Sequence, residues 1–225
     1  LPTTVSPRPA FAATIAIVDP TTVYQPHWEG WGTSLAWFGN VIGGWSEPKR
    51  SELADLVFGS SGLQMNMVRY NIGASPDPNT DTSMLTGRAI PSLATAPGVY
   101  DWSKDARQRW VLQAAKSRGA TIFEAFANSP PWFMTKNNDA SGGSDCGNNL
   151  RDDQYDDYAN FLADVVRRFR DNEGIAFRTL SPLNEPNAGY WCAWNGQEGA
   201  GFTLDKQDQI VTQVAQALSA QGITG

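Results

Sequence analysis

Gly174-Ile175-Ala176-Phe177-Arg178-Thr179-Leu180-Ser181-Pro182-Leu183-Asn184-Glu185-Pro186 has the pattern of a helix-covered strand ending in a polar pair. It opens on a glycine, runs through a short apolar segment and closes on Asn184-Glu185, where Pro186 blocks continuation. Just before it, residues 153–171 place Tyr155, Tyr158, Leu162, Val165 and Phe169 at helical spacing. Acidic residues over 152–157 begin that segment, and Arg167, Arg168 and Arg170 end it, which matches the helix dipole. A glycine just past a helix takes the left-handed C-cap that costs other residues energy. Gly174 therefore reads as a helix-to-strand junction. The run after it is nearly continuous in apolar character, as expected of a strand in a sheet covered by helices.

Outward from this stretch the same junction recurs. Gly62 precedes Leu63 to Tyr70, Gly119 precedes Ala120 to Ala127, and Gly222 precedes Ile223-Thr224, at intervals of 48 to 57 residues. Helices are predicted over 48–59, 105–118, 153–171 and 204–221. Strands are predicted over 31–38, 63–71, 120–128 and 176–184, with a fifth beginning at Ile223. Strand alternating with helix implies parallel strands and right-handed crossovers. A doubly wound open sheet and a (β/α)8 TIM barrel both fit that alternation. No Gly-x-Gly-x-x-Gly follows the first strand, so a dinucleotide fold has little support. Long aromatic loops follow the strands while short turns precede them, which fits a barrel with its site on the carboxyl-end face. A barrel takes ~250 residues. The expectation is α/β, with residues 29–225 forming the N-terminal half of a barrel, its first four to five strands. Residues 14–28 read as a lead-in strand. Residues 1–13, rich in Pro, Thr and Ser, read as a leader remnant or a disordered segment.

Composition narrows the function. The 225 residues are 41% hydrophobic and 11% aromatic, with nine Trp, as in a globular chain rich in flat apolar side chains. The formal net charge of −6 and the absence of a basic run argue against nucleic acid as partner, since Lys and Arg supply that affinity. His27 and two cysteines do not make a typical zinc site, and no cofactor motif is present. No apolar stretch reaches the ~20 residues of a membrane span. Cys146 and Cys192 lie in Gly/Asn-rich loops after the third and fourth strands. They are two separate thiols or one disulfide between neighbouring loops. The disulfide is favoured, and with the leader-like start it points to a secreted protein.

Glu185 carries the sharpest chemistry. A carboxyl group at a strand end, beside an amide and under aromatic walls, is what glycosidic bond cleavage needs in a proton donor. Trp191 and Trp194 could supply stacking surfaces for sugar rings, and burial against these aromatics would raise the Glu185 pKa and keep it protonated. The other reading is a surface glutamate. Arg69, near the end of strand two, needs a carboxylate or a substrate if it is buried. It serves a structural ion pair or orients a catalytic carboxylate. Trp132, held by Pro130-Pro131, is a core residue or a platform for a sugar ring. Trp37 is likewise core or cleft. Asp77, Asp81 and Glu198 are loop acids that could accept sugar hydroxyls. Glu124 shares a strand face with Asn128 and is a second carboxylate or part of a buried network.

Four blocks occur in order: Trp28-Glu29-Gly30-Trp31-Gly32-Thr33-Ser34-Leu35-Ala36-Trp37, Arg69-Tyr70-Asn71-Ile72-Gly73, Asn128-Ser129-Pro130-Pro131-Trp132-Phe133-Met134 and Leu183-Asn184-Glu185-Pro186. Together they resemble glycoside hydrolase family 30, in the clan of (β/α)8 retaining glycosidases. Residues 142–145, and Trp191 followed by Gln197-Glu198-Gly199, look most like its endo-β-1,6-galactanase branch. The resemblance implies that Glu185 is the acid/base and that Asn184 binds the hydroxyl beside the anomeric carbon. It implies that Arg69 orients the nucleophile and Trp132 lines the donor subsite. The family's nucleophile is a Glu on strand seven, beyond these residues, so the 225 residues alone are expected to be inactive. The family also carries a side β-domain, to which the lead-in strand would belong. The implied substrate is a β-linked plant polysaccharide or oligosaccharide, with no cofactor, nucleic acid, membrane or protein partner. Xylan and β-glucan stay open as substrates. So does a carbohydrate-binding protein on a barrel that has lost catalysis.

Overall fold

The computed structural model describes residues 19–77 and 87–224. Four parallel strands form the main sheet: β1 (Gly32–Ser34), β2 (Met67–Ile72), β5 (Ile122–Ala127) and β6 (Thr179–Ser181). They lie side by side in chain order. The helices are α1 (Phe38–Gly43), α2 (Lys49–Phe58), α3 (Ala106–Ser117), α4 (Tyr155–Arg168) and α5 (Leu204–Ala220). A hairpin of β3 (Ala94–Ala96) and β4 (Val99–Tyr100) sits between β2 and α3.

Alternation along the strands explains the layering. Val68, Tyr70, Phe123 and Ala125 are buried, in one core with Val111, Leu112, Phe161, Leu162 and Val165 from the helices. Each such large apolar side chain contributes roughly 1.5–3 kcal/mol on burial. The opposite face carries Arg69 and Glu124, adjacent in register across β2 and β5. Both are only partly buried. A sheet with sequential parallel order and its helix-packed core on one face is an arc of a (β/α)8 barrel. A doubly wound sheet would reverse its order and cover both faces.

The four expected helices, α2 to α5, fall within three residues of their expected bounds. After α4 the chain widens into a π-turn over Phe169–Glu173 before Gly174 takes φ +64°. Gly119 and Gly222 are left-handed too. Gly62 is not: a Cβ there would sit 2.1 Å from the Leu56 carbonyl oxygen, so close approach to α2 is its constraint.

Four expectations need correction. Strand one stops at Ser34, and Trp37 instead caps α1. The strand expected over 176–184 spans only Thr179–Ser181, because Pro182 lacks the N–H that would continue the ladder. Ile223-Thr224 form no strand. Residues 19–28 are exposed and carry no strand, so the lead-in strand over 14–28 does not form there. Residues 14–18 and the leader segment 1–13 lie outside the described residues.

Candidate active site

Three strands deliver the site, β2 from its middle and the other two through the chain beyond their carboxyl ends. β2 supplies Arg69, β5 leads to Trp132, and the chain beyond β6 supplies Asn184 and Glu185. Tyr158 of α4 donates its hydroxyl to the Pro182 carbonyl at 2.7 Å and holds the exit of β6. Arg69 Nη2 then donates to Asn184 Oδ1 at 3.2 Å, joining β2 to the chain beyond β6. The same guanidinium lies 3.5 Å over the Phe126 ring. Partial burial lowers the Arg69 pKa, while the charges of Glu124 and Glu185 oppose that shift.

Glu185 has φ +49° and is exposed, against the expectation of burial under tryptophans. Its Oε2 accepts from the Tyr190 hydroxyl at 2.7 Å. That bond raises the Tyr190 pKa. The Glu185 carbonyl accepts from Trp191 Nε1 at 3.0 Å and from the Ala188 amide at 2.9 Å. Tyr190 is the partner the sequence reading passed over. Its signal was an aromatic hydroxyl five residues past the acid.

Glu124 is engaged by Arg178 at 3.4 Å, and Arg178 also meets Glu29 at 3.0 Å. This is a line of alternating charges on the open face of the sheet. Trp132 opens a single 3-10 turn, Trp132–Met134, after Pro131, and donates its amide to the Ala74 carbonyl at 2.8 Å. Its side chain is partly exposed.

The O-glycosyl hydrolase family 30 model matches residues 13–225. The chain belongs to that family. It is 33% identical to an endo-beta-1,6-galactanase of Hypocrea rufa over 239 residues, covering 96% of this chain and 48% of the relative. It is 31% identical over 254 residues to an exo-beta-1,6-galactobiohydrolase of Bifidobacterium longum subsp. longum, covering 85% of this chain and 16% of the relative. Among solved structures, a conserved exported protein from Bacteroides fragilis superposes with a TM-score of 0.81 at 32% identity, covering 91% of this chain and 43% of that one. The chain thus spans about half the length of the galactanase and less of the other two.

Within this family 30 chain the remaining expected sugar contacts separate. Trp191 is a correction: it is 2% exposed, packed on Gly199, where a Cβ would sit 2.0 Å from its ring. It supports the Glu185 backbone and offers no stacking surface. Trp194, at 74% exposure, does. Glu198 is a second correction, because it has no exposed surface. Asp77 lines a separate cavity of about 260 Å³ with Asn40, Ser103, Lys104, Asp105 and Arg107, away from Glu185. Trp37, at the start of α1, is partly buried. Asp81 lies outside the described residues.

Cys146 and Cys192 form a disulfide joining the loop after β5 to the loop after β6. The Ala193 amide donates to the Gly143 carbonyl at 2.9 Å beside it. The bridge closes a 46-residue separation, for which loop-closure entropy gives on the order of 2–4 kcal/mol. Cys146→Ser with Cys192→Ser is therefore expected to lower the unfolding free energy by about that amount. Denaturant titration checks this, and an unchanged midpoint would refute it.

Proposed function

We propose that the chain carries the acid/base half of a retaining glycosidase acting on β-1,6-linked galactan. Glu185 is its proton donor and later its base. The observation that supports this most directly is the pair Asn184-Glu185 beyond β6, with Asn184 tied to Arg69 across 3.2 Å. An arginine and an amide beside one carboxyl group form a pocket for a hydroxylated ring and for a second, ionised carboxylate. Trp132 and Trp194 offer flat surfaces for neighbouring sugars. The second carboxylate comes from a strand other than the four described. The open sheet face and the engagement of Glu124 with Arg178 support that. The two carboxyls should lie ~5–5.5 Å apart, the spacing for retention. Residues 1–225 by themselves would then bind sugar weakly and turn nothing over.

The names of two relatives support β-1,6-galactan. The disulfide and the exported Bacteroides neighbour support a secreted protein. Product analysis on the whole protein with β-1,6-galactan, xylan and β-1,6-glucan tests the reading. Galacto-oligosaccharides whose new reducing ends are first released in the β configuration are expected. Release from xylan alone, or release first as the α anomer, would overturn it.

A further inference from the structure

The carboxylate of Glu198 is enclosed completely. Its Oε1 accepts from the amides of Ile90 at 2.9 Å, Ala74 at 3.1 Å and Ser75 at 3.2 Å, and from the Ser75 hydroxyl at 2.9 Å. Its Oε2 accepts from Asn71 Nδ2 at 3.3 Å. All these donors belong to β2 or the loop after it, whereas Glu198 belongs to the loop after β6. Converging donors of this kind hold the carboxyl oxygens as acceptors, Oε1 with four bonds and Oε2 with one.

Each neighbour passes the contact on. The Ala74 carbonyl accepts the Trp132 amide at 2.8 Å, so Glu198 sits two hydrogen bonds from that indole's backbone. Asn71 turns its Oδ1 to Asn128 Nδ2 at 3.4 Å, at the end of β5. On the other side, Gly199 leaves room for Trp191, whose Nε1 holds the Glu185 carbonyl at 3.0 Å. One buried group thus lies between the exit of β2, the exit of β5 and the loop that carries the acid.

We propose that Glu198 is a positioning residue for the sugar site: it fixes Trp132 through Ala74, and Glu185 through the Gly199–Trp191 contact, without touching substrate. The inference rests on the roles given above to Glu185 and Trp132. A purely structural Glu198 would weaken the whole fold together. A positioning Glu198 loosens selected amides and spoils catalysis while the helices stay intact.

The test compares Glu198→Gln and Glu198→Ala in the whole protein by hydrogen exchange and by kinetics on β-1,6-galacto-oligosaccharides. Gln keeps the size and one acceptor but turns an amide toward Asn71 Nδ2. Amides of Ala74, Ser75, Ile90 and Trp132 are expected to exchange roughly 10-fold faster in Gln and faster still in Ala, with α4 amides unchanged. The kcat/KM is expected to fall roughly 10- to 100-fold in Gln, as for a misplacement of about 1 Å. If Ala does not fold, Gln alone decides. An unchanged Trp132 amide, or acceleration spread equally over α4, overturns the proposal. So does unchanged kcat/KM in an active protein. A wild type that hydrolyses no galactan overturns the glycosidase reading, and the exchange pattern then reports separately whether Glu198 holds Trp132.

Discussion

Glu185→Gln is expected to lower kcat on β-1,6-galactan by roughly 10²–10⁴-fold, the range for losing a general acid–base group. The melting temperature should stay within a degree or two, since surface changes move stability by about ±0.5 kcal/mol. Glu185 is exposed and, among the described residues, its side chain bonds to Tyr190 alone, where Gln can still accept. The loss should depend on the leaving group. A galactoside whose leaving group departs without a proton should still form the covalent intermediate in the variant, and the intermediate should then accumulate for want of a base. Azide needs no base and would release it, attacking the face opposite the nucleophile. The expected product is a β-galactosyl azide. An α-azide would identify Glu185 as the nucleophile, and no azide product at all would remove it from the pair.

Stability is expected to fall as pH rises from about 5 to about 8, opposite to the acid sensitivity of a chain held by exposed ion pairs. Two fully buried carboxyls set the direction. Burial pushes Asp105 up to about 7, against hydrogen bonds from Tyr70 at 2.5 Å and Gln108 at 2.9 Å. Burial likewise pushes Glu198 up to about 7. Both values exceed the unfolded ones of 3.8 and 4.5. In the window between, the folded chain holds more protons than the unfolded one. The stabilising contribution is complete below the unfolded pKa and is lost as pH rises through about 7. At about 1.4 kcal/mol per pKa unit, the loss is about 3 kcal/mol for Glu198 and about 4 kcal/mol for Asp105. Those figures are comparable with the whole margin of a domain, about 5–15 kcal/mol. Asp105→Asn is expected to flatten the slope and to raise stability at pH 8. Its amide carries no charge and places a nitrogen where the buried Oδ1 has no partner. Urea titrations at pH 5, 6, 7 and 8 check both points, and a flat wild-type profile would refute the assignment.

Local pattern made the helices legible. In α4, apolar residues at helical spacing and charges sorted to the right ends specify both bounds and the buried face. Three of the four glycine junctions located strands for the same reason, while Gly222 is followed by none among the described residues. What stayed hidden depends on partners distant in sequence. Glu198 looks like an ordinary loop acid, and only its bonds to Ala74, Ser75 and Ile90, more than 100 residues away, make it interior. Trp191 looked like a sugar platform because nothing local says that Gly199 makes room for it. The hairpin Ala94–Tyr100 did leave a sign, the Pro97-Gly98 turn, which sits between segments too short to show alternation. Asn184, Glu185 and Arg69 drew attention through their chemistry, and the structure brings Arg69 and Asn184 into contact.

The left-handed backbone at Glu185 bears on how this site was selected. Glycine or asparagine would occupy φ +49° more comfortably, and a longer side chain there costs about 1 kcal/mol. Under the role proposed for Glu185, the reach of its carboxyl offsets that cost, a local trade of robustness for reactivity.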